Sequence, residues 1–258
     1  MADESASGPG VVSTVREWWR DNSARDGFFR TLRRFVAMLW EFARDSTPSR
    51  RRRRYGDVEY DWDYRVDTTS ATVGWRNRLL GMFHSPYQPT EPALFHEMLA
   101  SLMQASPKIN IREFIFIDIG SGKGRVLLMA ADYPFQRILG IELLPELHRV
   151  AKENLARYKS DSQQCFAIDC IQGNASEFIF PPEPTVLYLF NPLPECALAK
   201  MINNVEQSLR EHPRPVFVLY HNPLLESVLT DSPAFKKMTS TAQYSIFSQN
   251  RSVLSGHD

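Results

Sequence analysis

Cysteine is scarce in this chain, and the little there is does not form a framework. Three of 258 residues are cysteine (Cys165, Cys170 and Cys196), and none falls in a C-x-x-C or zinc-ligand spacing. A disulfide scaffold is thereby excluded, and no metal site is expected; reduced thiols in a cytoplasmic protein fit the pattern. Long apolar runs are also missing. The candidate nearest the start, Phe35-Val-Ala-Met-Leu-Trp40, is flanked by Arg34 and Glu41 and is far shorter than the roughly 20 residues that span a bilayer. The opening MADESASGPG lacks the charged-then-apolar pattern of a signal peptide. Net charge is absent too, with 30 Lys+Arg against 30 Asp+Glu, so bulk attraction to nucleic acid is not favoured.

That zero is a sum of unlike parts. Residues 1–56 carry 12 Arg against 7 acids, and residues 57–258 carry 18 basic residues against 23 acids. Four regions follow. Residues 1–10, small and polar, read as disordered. Residues 11–56 read as a basic helical arm, with Val15, Trp18 and Trp19 in one stretch and Phe28, Leu32, Phe35, Val36, Leu39 and Trp40 at helical spacing in the next. It ends in an Arg-rich linker, Arg50 to Arg54. Such an arm suits a packed helical pair, an anionic membrane surface or an acidic partner, which leaves peripheral membrane association open beside a cytoplasmic location. Residues 57–90 read as a connecting segment, with acids at Asp57, Glu59, Asp61 and Asp63 able to offset the arginines.

Residues 91–258 alternate regularly. Apolar strand-like runs at 114–119, 137–142, within 165–172, at 185–190 and at 215–220 are separated by helical patterns at 91–104, 124–133, 145–158 and 195–211. Continuous apolar strands between amphipathic helices predict an α/β fold, a doubly wound and mostly parallel sheet covered on both faces. Two shorter segments, 235–241 and 243–248, suit a closing antiparallel hairpin.

In such sheets ligands bind at the carboxyl ends of the strands. The first strand exits through Asp118-Ile-Gly120-Ser121-Gly122-Lys-Gly124-Arg125. This is not a phosphate-cradling P-loop, which needs four residues between its first glycine and Gly-Lys-Ser/Thr, and the dinucleotide fingerprint would need glycine at Arg125. What remains, D-x-G-x-G-x-G, resembles motif I of class I S-adenosylmethionine (SAM) methyltransferases. The resemblance implies a seven-stranded Rossmann-like methyltransferase fold. It also implies that Asp118 receives the cofactor's ammonium group, that Gly120, Ser121, Gly122 and Gly124 form the cradle, and that Glu142, ending the next strand, bonds the ribose hydroxyls. The cofactor has no phosphates, so Lys123 and Arg125 are expected to be exposed or to start a helix.

Further along, Gly173-Asn174-Ala175 stands where the family often carries Gly-Asp-Ala, and Asn174 would accept the adenine amino group. Phe190-Asn191-Pro192-Leu193-Pro194 holds the motif IV position and is similar to the Asn-Pro-Pro-aromatic motif of amino-group methyltransferases, in which the asparagine orients the target nitrogen. Its aromatic is replaced here, which counts against nucleobase methylation. Upstream, Ser85-Pro-Tyr87-Gln-Pro89-Thr90 together with the Asp118 loop resembles the archaeal and mitochondrial protein-lysine methyltransferases and the related Dot1-like group, over about residues 85–200. By that likeness residues 57–90 include a cofactor lid, Tyr87 and Thr90 line the cofactor site, and Asn191 with Tyr87 serves catalysis. Thr90 is equally placed to cap the following helix, and His221 could be a base for an oxygen acceptor or a satisfied structural histidine. The reading is SAM-dependent N-methylation of a protein lysine. Methylation of a small molecule, with the N-terminal region as lid, and a non-catalytic SAM-binding or docking module stay as alternatives.

Overall fold

A computed structural model describes residues 11–45, 58–68 and 89–250. The motif residue Tyr87 and the arginine run 50–54 therefore lie outside the described residues. Two compact units are present, the arm in one, and residues 59–68 with everything from Pro89 onward in the other.

In the arm, α1 (Val11–Asp26) and α2 (Phe28–Asp45) form a helical hairpin. Gly27, at φ 78°, makes the break between them. Trp18 and Trp19 pack against Phe35, and Trp19 also meets Phe28 edge-on. Among the described residues no helix is long and apolar enough to cross a membrane.

The second unit starts with a short helix, α3 (Val58–Tyr64), and continues through α4 (Pro92–Ala105) into a seven-stranded sheet. Its strands are β1 (Ile115–Ile119), β2 (Arg137–Glu142), β3 (Ile168–Gln172), β4 (Thr185–Leu189), β5 (Val216–His221), β6 (Phe235–Ser240) and β7 (Tyr244–Gln249). They lie in the order β3-β2-β1-β4-β5-β7-β6. The first five are parallel, and β7 runs antiparallel between β5 and β6. The order reverses beside β1, which opens a crevice above the ends of β1 and β4.

Helices α5 (Arg125–Ala130), α6 (Pro145–Arg157) and α7 (Glu195–Glu211) complete the layers, with a single turn α8 (Ser227–Thr230) before the last hairpin. One core, on the α4–α6 side, gathers Phe95, Met98, Phe116, Leu127, Leu128 and Tyr188. The other, on the α7 side, gathers Ile117, Leu187, Met201, Val205, Val218 and Phe247. Every residue of β1, β4, β5 and β7 is buried, as strands between two helical layers must be. The expected closing hairpin is present, and it is its second strand that pairs with β5. The outer β6 turns Lys236 and Lys237 to solvent, a common protection for a sheet edge.

Candidate active site

The site begins at Asp118, whose strand neighbours are Gly140 on β2 and Tyr188 on β4. Its side chain is buried, and no donor among the described residues reaches the carboxylate. Burial, and after it the nearby charge of Glu142, pushes its pKa well above the usual carboxylate range. A buried acid without a partner costs the fold free energy until a cation or donor arrives.

Past Asp118 the backbone enters the left-handed region at Gly120 (φ 75°), Gly122 (φ 55°) and Gly124 (φ 85°), which explains glycine at alternate positions. At Gly120 there is a second reason: a Cβ there would lie 2.6 Å from the Cβ of Pro192. The cofactor loop and the turn after β4 thus touch at this residue. Glu142 organises the loop from the end of β2. Its Oε2 accepts from the Gly122 N–H at 2.7 Å and its Oε1 from the Leu144 N–H at 2.8 Å. A carboxylate has about four lone-pair sites, so acceptor capacity remains beside the backbone bonds. Burial raises the Glu142 pKa, and the backbone bonds from Leu144, Gly122 and Leu143 pull it back. The Ser121 hydroxyl turns inward to the Cys170 thiol at 3.3 Å, its N–H donates to the Ile141 carbonyl and its own carbonyl accepts from the Gly124 N–H.

Lys123 and Arg125 correct the sequence expectation of exposure, although Arg125 does open α5. Both are buried. Lys123 Nζ pairs with Asp67 at 2.5 Å. The Arg125 guanidinium donates to Thr68 Oγ1 at 2.7 Å, reaches Asp61 at 3.3 Å and lies over the Tyr60 ring. Asn154 joins the same strap. Its Nδ2 donates to the carbonyls of Asp67 and Lys123, and its Oδ1 accepts from the Asp67 N–H. Asp61, expected to offset the arginine run, is placed against the loop. Residues 59–68 are therefore a strap across the back of the glycine loop, within the same compact unit.

Asn174 caps a one-turn 3-10 helix, Ala175–Glu177, beside Glu142, whose carbonyl accepts from the Gly173 N–H at 2.9 Å. Asn174 Oδ1 takes both the N–H and the hydroxyl of Ser176, which fills its two lone pairs. The oxygen expected to meet adenine thus takes two bonds within the turn. Ala175 is buried against the α7-side core.

Asn191 is held between the two strand ends. It sits at φ 43°, its Nδ2 donates to the Asn222 carbonyl at 2.6 Å, and its Oδ1 accepts from Tyr220 Oη–H at 3.1 Å and the Leu224 N–H at 3.3 Å. These bonds brace the ends of β4 and β5, and the Leu224 N–H is shared with the Asn222 carbonyl at 2.8 Å. The two strand ends are alike, Phe190-Asn191-Pro192 and His221-Asn222-Pro223, with both asparagines at positive φ. Phe190 stacks on His221 with ring centroids 3.8 Å apart. His221 Nδ1 bonds Tyr188 Oη at 2.9 Å, and Tyr188 Oη bonds Thr90 Oγ1 at 2.8 Å. Thr90 is thus fastened to the sheet; the cap of α4 is Glu91, without a side-chain cap bond. Burial lowers the His221 pKa to about 4, so the ring is neutral, and its Nε2 has no partner among the described residues.

The raised acids set a pH dependence. A carboxyl whose folded pKa is raised binds its proton more tightly folded than unfolded, so stability is greatest at low pH and falls as pH rises through the two values. His221, whose folded pKa is lowered, contributes in the opposite sense over the same window, so the contribution of the acids is read from the difference between variants. Asp118→Asn should flatten that slope and raise Tm at neutral pH. Thermal melts of both proteins across a pH series check this, and parallel curves would mean that Asp118 is not strained.

The strand order, with its reversal beside β1 and an antiparallel β7 next to β5, decides the architecture. It is the Rossmann-like methyltransferase fold. No family model matches the sequence, and no curated protein matches it. Solved structures similar to the chain include an RNA methyltransferase from Salinibacter ruber in complex with S-adenosyl-L-homocysteine, at 20% identity and a TM-score of 0.38, covering 62% of this chain and 92% of that one. A ribosomal protein L11 methylase from Lactobacillus delbrueckii subsp. bulgaricus is similar at 16% identity and 0.42, covering 60% and 79%. A putative methyltransferase from Escherichia coli is similar at 17% identity and 0.44, covering 61% and 84%.

Proposed function

We propose that the chain is a SAM-dependent methyltransferase acting on an amino group of a protein, lysine being the preferred acceptor. The observation that carries this is Asp118, a buried carboxylate with no donor, beside Glu142 at the end of the next strand. A ligand suited to that pair brings an ammonium group and a cis-diol. It brings no phosphate, because the two cations of the loop, Lys123 and Arg125, are turned into ion pairs behind it. SAM, when bound, supplies an electrophilic methyl group on a sulfonium. Asp118 holds its ammonium end, the backbone of Gly120 to Gly124 lets it approach closely, and Glu142 takes the ribose hydroxyls on its remaining lone pairs.

At the acceptor end the chain offers a neutral imidazole, an aromatic stack and backbone carbonyls at two fixed turns. A neutral imidazole carries no positive charge to repel an approaching amine, and so suits an amine in its neutral form. Lysine reaches this state only after losing its proton, since its unperturbed pKa is about 10.4. The resemblance of Pro89-Thr90 and of the Asp118 loop to protein-lysine methyltransferases supports the protein acceptor. The deciding experiment is incubation of the chain with tritiated SAM and cell lysate. Label in a protein band that hydrolyses to methyl-lysine supports the proposal; label confined to small molecules overturns the acceptor, and absence of SAM binding by calorimetry overturns the whole.

Glu142→Ala is expected to weaken SAM binding by about 1–3 kcal/mol, the loss for a hydrogen bond to a charged group. Calorimetry measures it, and an unchanged affinity would put the ribose elsewhere.

A further inference from the structure

Of the eight large apolar side chains that stand exposed among the described residues, four lie within nine positions of α2. Phe29 is 84% exposed, Phe28 57%, Val36 56% and Leu32 38%. Scattered exposed apolar residues are ordinary on soluble proteins, but a cluster marks a contact surface. Phe29, Leu32 and Val36 recur at i, i+3 and i+7, so they share one face of the helix. The flank beside it, with Phe28 and Phe35, is the one that α1 meets through Trp18 and Trp19. A hairpin of two helices covers one flank of so wide a stripe and leaves the other open.

Charge borders the open flank. Arg30 and Arg33 are exposed and have no acidic partner among the described residues, whereas Arg34 pairs with Asp26. Five more arginines follow α2 in the sequence, Arg50 to Arg54. We propose that this face docks the chain on an anionic lipid surface, with Phe29, Leu32 and Val36 entering the acyl boundary and Arg30 and Arg33 meeting the headgroups. A second copy of the chain fits less well. A two-fold contact through the same patch would set the arginines of one copy near those of the other. A layer of anionic headgroups answers both arginines and receives the apolar side chains at the same depth. The long arginine stems allow this, since they lie along apolar surface while the guanidinium stays in water.

The test is co-sedimentation of the full chain with vesicles of phosphatidylcholine alone and of phosphatidylcholine mixed with phosphatidylserine. Binding to the mixed vesicles only, weakening with added salt, is expected. Each arginine at the surface is worth about fivefold in partitioning, so Arg30→Gln with Arg33→Gln should reduce it by roughly 25-fold. Phe29→Ser with Leu32→Ser should reduce it by on the order of a hundredfold. SAM binding by calorimetry should stay as in the wild type, which shows that the variants fold and keeps this inference separate from the catalytic one.

Four results would overturn it. They are wild-type chain left in the supernatant with mixed vesicles, equal binding to both vesicle types, an apolar double variant that sediments like wild type, and a two-chain mass by light scattering that falls to one chain in that variant. The last result would assign the face to self-association.

Discussion

Arg125→Ala is expected to destabilise the chain by about 3–5 kcal/mol, the range for removing one member of a buried ion pair. The side chain is only 2% exposed, and its partner Asp61 only 10%. Without the guanidinium, Asp61 and Thr68 both lose the charged group that bonds them, and Tyr60 loses the cation over its ring. The cost falls on the strap and the glycine loop together, because Asn154 and Lys123 tie the same two segments a few residues away. Urea melts of Arg125→Ala, Asp61→Ala and the double variant measure it. The double variant should cost less than the sum of the two single variants, since the two side chains share one interaction. A wild-type midpoint for Arg125→Ala would mean that the strap does not hold the loop.

Gly120→Ala should abolish most of any methyl transfer while leaving the chain folded. Two costs meet at this position. An L-residue at φ 75° bears roughly 1–2 kcal/mol of backbone strain. Its Cβ would also lie 2.6 Å from that of Pro192, so either the cofactor loop or the turn after β4 must move. A displacement of about 1 Å between reacting groups lowers a rate on the order of a hundredfold. Single-turnover kinetics with saturating SAM is the suitable measurement, with circular dichroism confirming the fold. A rate within a few-fold of wild type would show that the turn has room to yield.

Much of this was legible in the sequence because it is local. The strands are continuous apolar runs, and the three glycines of the loop announce their positive φ by alternation alone. Asp118 and Glu142 stand out because each lies at the carboxyl end of an apolar run. What stayed hidden depends on partners far apart along the chain. Lys123 and Arg125 read as solvent-facing, yet their acids lie 56 and 64 residues upstream in a segment read as a connector. A trace of the strap was present in Asn154, a polar residue on the buried face of α6 in register with Leu147 and Ala151. The internal bonds of Asn174 and Asn191 were equally invisible, because a motif specifies a residue type and not what its neighbours already donate. The repeat of aromatic-Asn-Pro at Phe190 and His221 was there to be seen as a pair.

The antiparallel β7 bears on the order in which the chain can fold. β5 is completed at His221, but its second edge is paired only by residues 244–249. During synthesis the parallel strands and their helices emerge first, and β5 then carries an apolar, unpaired edge until the hairpin follows. Such an edge is a template for pairing with other chains, and partly finished domains are prone to that error. The last strand thus acts as a latch on the growing sheet, and a chain stopped before Tyr244 would keep its glycine loop and both Asn-Pro turns while exposing the surface most able to aggregate.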